Sequence, residues 1–151
     1  MFGGKWMDTF MDKLAQKLNA QEMIKANSAA DAEEMDQLKN QLREYDECLA
    51  QMQQEDGAFL SWGAESSESV SQVLVALTAL GLSPDDARFV KNGQTLEEGR
   101  LRFAQNDGSF VHTQGDGGNL LATTQAFYAL AAVQRARDGK TSLYDMSDVA
   151  P

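Results

Sequence analysis

The chain has 151 residues and a mass of 16.5 kDa, enough for one domain or for a small domain with an appendage. Its 23 acidic and 13 basic residues give a formal net charge of −10, which argues against nucleic acid or an anionic membrane as a partner of the whole chain. A single Cys and a single His exclude a zinc site of the Cys₂His₂, Cys₄ or His₃ type within one chain.

The start of the sequence shows no targeting segment. Asp8, Asp12 and Lys13 interrupt its apolar runs, so we expect no cleavable signal peptide. The longest strongly apolar stretch, residues 73–82, is about half the length that a membrane-spanning helix needs. Cys48 has no second cysteine to pair with, which is compatible with a reducing compartment or with secretion. We therefore predict a soluble chain without a membrane span, cytoplasmic as written, and leave its final location open.

A change of composition divides the chain into residues 1–54, which lack proline, and residues 55–151, which hold both prolines and ten of the twelve glycines. In the first region we predict a short amphipathic helix over about residues 5–26 and a longer helix over about residues 28–54. Six residues of the longer helix follow heptad spacing and form a seam: Met35, Leu38, Leu42, Tyr45, Leu49 and Met52. The heptad seam either packs against the rest of this chain or drives self-association as a coiled coil. A membrane-surface role for the first helix is the least favoured alternative, because its polar face carries acidic residues.

The second region contains three predicted helices. Val70–Leu80 is apolar nearly all round and is interpreted as a buried helix, with a buried strand as the alternative. The run Ser83-Pro84-Asp85-Asp86 is typical of a helix start, and this second, amphipathic helix is expected to end near Gln105. Asn119 is expected to cap a third, apolar helix that ends at Gly139. Two apolar helices separated by an amphipathic one predict layers in which the apolar pair is buried on both sides.

The second region also contains an internal repeat. Asp56-Gly57-Ala58-Phe59 returns 51 residues later as Asp107-Gly108-Ser109-Phe110, and the apolar run that begins at Gln72 returns 53 residues later at Gln125. A period near 50 residues, with one Asp-Gly turn and one apolar helix in each unit, is typical of stacked helical repeats.

Several segments of this repeat occur in an order and at a spacing shared with one protein family: Asp56–Phe59 with Trp62-Gly63, Gln72–Gly81, Phe89–Gly93, Gln105–Phe110, Ala122–Ala126 and Ser142–Asp145. On these segments, residues 56–148 resemble the terpenoid-cyclase/protein-prenyltransferase α/α-toroid superfamily, and most closely its prenyltransferase-like (squalene-oxidase-repeat) modules in bacterial surface proteins. Residues 1–54 match nothing in that family. The resemblance implies a partial ring of helical hairpins with an inner and an outer layer. The predicted fold class is therefore all-α, an N-terminal helical hairpin or short coiled coil followed by a partial α/α-toroid repeat.

The resemblance implies three classes of function. The first is a non-catalytic interaction module of a surface or adhesion-type protein, whose N-terminal helices pack or self-associate. The second is a terpene-cyclase or prenyltransferase-type enzyme, or a degenerate fragment of one, and the third is a small-molecule carrier of the cobalamin-binding type. The enzyme is disfavoured because the family's zinc ligands cannot be mapped: Cys48 lies outside the resembling region, and His112 follows a turn. We therefore predict no catalytic residue, metal site or cofactor, and we expect a protein partner or a second copy rather than a small molecule.

Six residues at the expected inner wall and turns are candidate binding positions: Trp62, Gln72, Phe110, His112, Gln125 and Tyr128. Gln72 and Gln125 occupy equivalent places on apolar helices, where a buried amide needs partners. A neighbouring turn backbone is the favoured partner, and a ligand is the alternative. His112 is expected to be an ordinary turn histidine, and residues 115–119 are expected to be a flexible connection rather than a calcium or phosphate loop. Cys48 is expected to be a solvated thiol, and contact with its copy in an antiparallel helix pair is the alternative.

Overall fold

The computed structural model describes residues 12, 15–17, 19, 32–61 and 63–150. The helices are α1 (Ala32–Met52), α2 (Ser67–Ala79), α3 (Leu96–Leu101) and α4 (Leu120–Arg137), with a 3₁₀ turn at Ala87–Phe89. The strands are β1 (Leu60–Ser61), β2 (Ala64–Glu65), β3 (Phe110–Val111) and β4 (Gly118–Asn119). Residues 12, 15–17 and 19 are helical, and most of the helix predicted over residues 5–26 lies outside the described residues.

The prediction of an all-α fold with a toroid repeat is wrong, because the chain mixes helices with two small antiparallel sheets. In the first sheet Leu60 lies opposite Glu65, and in the second Phe110 lies opposite Asn119. Each hairpin follows an Asp-Gly turn and precedes an apolar helix. The backbone between turn and helix is extended, and its N–H and C=O groups find partners by pairing across the hairpin.

The sequence repeat is a repeat of local structure. In the first turn Gly57 N donates to Gln54 O (3.0 Å), Gln54 N donates to Ala58 O (2.8 Å), and Ala58 N donates to the Asp56 carboxylate (3.1 Å). Residues 105–109 make the same three bonds at 3.0, 2.7 and 2.9 Å. The first turn also packs closely on α3, where Gly99 lies against the backbone of Gly57.

The interpretation of residues 70–80 as a buried helix is confirmed, although α2 begins three residues earlier. The Ser66 side chain accepts a hydrogen bond from Ser69 N (3.2 Å), which caps the helix. Val70, Val73 and Leu77 are fully buried, and α2 packs mainly against α4. Gly81 adopts a φ of +73°, which lets the chain turn away just after the helix ends.

The predicted amphipathic helix over residues 83–105 is wrong in extent. Asp86 caps a short 3₁₀ turn instead, and the helix α3 begins only after Thr95, which forms a capping box with Glu98. Between them Asn92 (φ 51°) and Gly93 (φ 79°) take left-handed backbone conformations, which no right-handed helix can include. Ser83-Pro84-Asp85-Asp86 therefore starts a turn and not a long helix.

The C-terminal end of α1, which carries the last residues of the heptad seam, packs against the core of the same chain. Leu49 is buried in the core and Met52 packs against it, while the side chains of Met35, Leu38, Leu42 and Tyr45 lie outside the described residues. Asp46 on α1 is buried and forms ion pairs with Lys17 and with Arg88 of the 3₁₀ turn. At Leu49 and Met52 the heptad seam thus packs within the chain.

Candidate interaction surface

Helix α4 forms where the sequence predicts its third helix. The Asn119 side chain accepts a hydrogen bond from Ala122 N (3.0 Å) and caps the first turn. Arg135 and Arg137 lie in the last turn, where cations suit the helix dipole, and Gly139 ends the helix with a φ of +66°. Both predicted ends of this helix are confirmed.

One side of α4 is built from small residues that face α2. These residues are less than 3% exposed: Ala122, Ala126, Ala129, Ala132 and Val133. Small side chains let two helices approach closely, so the large residues of α2 fill the space between them. This buried side fixes the orientation of the whole helix.

The opposite side of α4 exposes large apolar side chains, and the prediction that both apolar helices are buried on both sides is wrong for α4. Five residues are exposed to these extents: Leu120 84%, Leu121 59%, Phe127 55%, Tyr128 49% and Leu130 40%. They share one side of the helix with Thr124, Ala131 and Gln134, which are also exposed. We call these eight residues the outward face of α4.

The outward face of α4 is uncharged. Residues 120–134 contain no Asp, Glu, Lys or Arg, although the chain carries 23 acidic and 13 basic residues. A helix surface that faces water normally carries charged side chains. The composition of this face is therefore that of a contact surface.

Phe127 packs on the buried side chain of Phe110, which in turn packs on Arg100. Its ring lies edge-on to the buried Phe110, with 6.4 Å between ring centroids, and the Arg100 guanidinium lies 5.4 Å from the Phe110 centroid on the ring face. Arg100 is 4% exposed and donates to Ala126 O (3.3 Å). Burial lowers the pKa of Arg100, and the neighbouring Glu97 carboxylate opposes that change. Since Phe110 and Arg100 support the inner side of the Phe127 ring, its exposed half has a defined orientation.

Of the other candidate binding positions, only Gln72 and Gln125 are described in contact with each other. Gln72 Nε2 donates to Gln125 Oε1 (3.0 Å), so these amides link α2 to α4 instead of bonding to a turn backbone. His112 is half-exposed, and its Nδ1 lies 2.9 Å from both carboxylate oxygens of Glu68. Tyr128 lies on the outward face of α4, and Trp62 lies outside the described residues.

Two acidic residues of the first repeat share one arginine. Arg102 pairs with Asp56 and lies 3.7 Å from the Glu65 carboxylate. Burial raises the pKa of Glu65, and the adjacent Asp56 carboxyl raises it further. Burial opposes but does not cancel the hydrogen bonds from Arg102 and Ala58 that lower the pKa of Asp56. Carboxyl pairs that titrate apart are found in acid-base sites, but Asp56 makes the same turn bond as Asp107, which indicates a structural role.

A cleft of about 330 Å³ lies between the C-terminal ends of α2 and α4. Its lining includes Thr78, Ser83, Asp85 and Arg137. Arg137 pairs with Glu97 (2.8 Å) and with Asp85 (3.3 Å), so acidic partners already neutralise its charge.

Two further findings apply to the part of the chain that the structure describes. It contains no group of three or more His, Cys, Asp or Glu residues placed to hold a metal ion. No helix within it combines the length and the apolar character needed to cross a membrane. Cys48 is half-buried on α1.

Sequence reasoning missed four of the five large apolar residues on the outward face of α4, because it assigned Leu120, Leu121, Phe127 and Leu130 to a buried helix. Two signals in the sequence point to them. Residues 120, 124, 127, 131 and 134 follow the 4-3-4-3 spacing of a helix-packing seam, and no charge interrupts them. Both signals indicate a surface that packs against another helix.

No known protein family, curated protein or solved structure matches this chain.

Proposed function

We propose that this chain is a non-catalytic protein-interaction module that binds protein through the outward face of α4. The observation that carries the proposal is the group of five exposed large apolar side chains on an uncharged helix surface. With about 200 Å² for a fully exposed large apolar side chain, they expose on the order of 600 Å². That area is at the upper end of the largest apolar patches on monomeric proteins, roughly 300–600 Å², and such patches mark interaction sites.

The polar groups at the candidate binding positions support a binding role over a catalytic one. Gln72 and Gln125 bond to each other, and His112 faces Glu68. Asp56 is held in its turn by Ala58 N. These groups stabilise the repeat, whereas the outward face of α4 offers contact area without charge.

We also propose that residues 56–148 are related to the prenyltransferase-like modules of bacterial surface proteins, which would give the interaction a surface or adhesion context. Support comes from the two Gln-x-Asp-Gly turns, which share the same three hydrogen bonds. The relationship concerns these repeated turns and the apolar helices that follow them.

Site-specific photo-crosslinking tests the proposed function. A benzophenone amino acid replaces Phe127 or Tyr128 in the full chain, and both replacements keep an aromatic ring on the outward face of α4. The matched control places it at Asn106, an exposed turn position outside α4. The chain is irradiated alone and in cells of its source, and adducts are identified by mass spectrometry.

We expect the same protein adduct from positions 127 and 128, none from position 106, and loss of the adduct when Leu120→Glu is added. The added charge would have to be desolvated in an apolar contact. If positions 127 and 128 give no adduct, or the same adducts as position 106, the proposed function is wrong.

A further inference from the structure

We propose that the partner on the outward face of α4 is the same face of a second copy of this chain, with the two α4 helices packed antiparallel about a two-fold axis. This inference rests on the proposed function and names its partner. Four features of the structure carry it: side-chain spacing, the burial of α2, the exposed area and the distribution of charge.

The spacing of the outward face fits an antiparallel copy of itself. Leu120, Thr124, Phe127 and Ala131 follow one another at intervals of 4, 3 and 4 residues, as in helices that pack side by side. When the two-fold axis lies between Thr124 and Phe127, Leu120 meets Ala131 of the second copy and Thr124 meets its Phe127. Each large side chain then faces a small one, so the surfaces fill each other's gaps.

A second copy cannot offer α2 to this face. In a stack of repeats, the free side of α4 would pack on the equivalent of α2 in the next unit. Val70, Val73, Leu74 and Leu77 of α2 are 0% exposed, so their own chain already covers them. Stacking of copies through α2 is therefore excluded, whereas pairing of the outward face of α4 with itself is open to both chains and gives a closed two-fold dimer.

The exposed area is sufficient. Two outward faces that each expose on the order of 600 Å² bury at most about 1,200 Å² together, which reaches the lower end of the range for specific, stable interfaces. Smaller contacts are typical of crystal packing or of transient encounters. Obligate dimers bury more area than this, so we expect a reversible dimer.

Charge directs copies to this face. Each chain carries a net charge of −10, so two copies repel each other, and residues 120–134 hold none of that charge. Antiparallel packing also sets the positive end of each helix dipole beside the negative end of the other. The contact with the least electrostatic cost is therefore between the two uncharged helices.

The first experiment is sedimentation equilibrium of the full chain over micromolar concentrations. We expect a reversible species of twice the 16.5 kDa chain mass. The Leu120→Glu/Phe127→Glu variant should raise the dissociation constant at least about 100-fold, because four carboxylates would be buried in one contact. The matched control, Gln51→Glu/Asn106→Glu, adds the same charge at exposed positions outside α4 and should raise the dissociation constant only slightly, through the added repulsion between the two chains. Position 106 is equivalent to Glu55 of the first turn, so its turn accepts Glu.

The second experiment measures the direction of packing by disulfide formation in a Cys48→Ser background. Leu120→Cys and Ala131→Cys chains should cross-link when mixed and not when kept separate. In the antiparallel register each position lies 11 residues, about 16 Å along the helix axis, from its own copy, beyond the reach of a disulfide. Parallel helices would place each cysteine beside its own copy and cross-link each variant by itself.

The outcomes separate this inference from the proposed function. A monomer at all concentrations, a dimer that survives Leu120→Glu/Phe127→Glu, or self-cross-linking of each cysteine variant would overturn the antiparallel α4 dimer. If the benzophenone at position 127 meanwhile captures a different protein, the proposed function stands and its partner is not a second copy. If that residue captures nothing, the proposed function falls as well.

Discussion

The approach of Gly99 to Gly57 gives a stability prediction whose magnitude follows from the structure. A methyl group on Gly99 would lie 3.0 Å from the Gly57 carbonyl oxygen and 3.2 Å from its carbonyl carbon. Both are backbone atoms and cannot rotate away. Gly57 is also fixed by its φ of +85° and by hydrogen bonds to Gln54 O (3.0 Å) and from Gln53 Nε2 (3.1 Å). Gly99→Ala therefore forces the first turn away from α3.

Two opposing effects set the size of the change. Alanine is favoured over glycine inside a helix by about 1 kcal/mol. Overpacking of a filled site costs about 1–3 kcal/mol, and the upper part of that range applies because the atoms in contact belong to a hydrogen-bonded turn. We expect Gly99→Ala to lower the free energy of unfolding by about 1–2 kcal/mol, which lowers the Tm by roughly 2–8 °C for a chain of this size.

Urea denaturation followed by circular dichroism measures this difference, with Gly117→Ala as the matched control. A methyl group on Gly117 meets nothing within 4 Å, and its backbone does not adopt a positive φ. The control should therefore keep or slightly raise the free energy of unfolding. If Gly99→Ala gained about 1 kcal/mol, as helix propensity predicts, the close packing of the first turn on α3 would be refuted.

Three further predictions follow from contacts on α4 and from the net charge. Gln72→Leu removes the donor to Gln125 Oε1 (3.0 Å) and should lower the free energy of unfolding by about 1 kcal/mol. The Gln72→Leu/Gln125→Leu double variant should lower it by less than the sum of the two single changes. Additive changes, measured by urea denaturation, would contradict the pairing. The hydrogen bond that the Asp148 carboxylate accepts from Thr141 and its ion pair with Arg135 lower the pKa of Asp148 from 3.8 to about 2. These contacts should therefore stabilise the fold fully above pH 4, and that stabilisation should be lost as the pH falls through about 2. Carbon NMR of the carboxyl group measures that titration, and a midpoint near 4 would disagree with the contact. Added sodium chloride should lower the dissociation constant of the dimer, because salt screens the repulsion between two chains of net charge −10. Sedimentation equilibrium measures this change. Weaker association in salt would mean that attractive ion pairs hold the copies together.

Local features could be predicted from the sequence because a few neighbouring residues determine them. Asn119 and Gly139 bound the third helix as predicted, since caps depend on bonds within one helical turn. The repeat of Asp56-Gly57 at Asp107-Gly108 correctly marks two turns with the same hydrogen bonds, because those bonds join residues within five positions of one another. Helix α2 follows from an apolar run too long for a typical strand.

The two hairpins escaped prediction because their strands are too short to show a pattern. Each strand has two residues, and the alternation that identifies a strand needs at least four. The segment over residues 83–105 was misassigned because Asn92 adopts a left-handed conformation, which its side chain tolerates but does not require. In both cases the local structure depends on contacts that form only when the chain is folded, and a few neighbouring residues do not determine it.

The exposure of α4 could not be predicted, because an apolar helix does not reveal how many of its sides are covered. Val73 of α2 and Leu120 of α4 look equally suited to a core, yet they are 0% and 84% exposed. The number of packing neighbours decides between them, and that number depends on the whole fold. The candidate interaction surface was therefore visible in the sequence as an apolar run, but its accessibility was not.

The burial of α2 against α4 has a consequence for biosynthesis. The ribosome completes α2 at Ala79, but the helix that covers it is not complete until Arg137, roughly 60 residues later. At about 5–20 residues per second, this apolar helix remains uncovered for roughly 3–12 s. Nascent chains stalled between these two points should therefore bind chaperones that recognise apolar segments, and chains released after Arg137 should not.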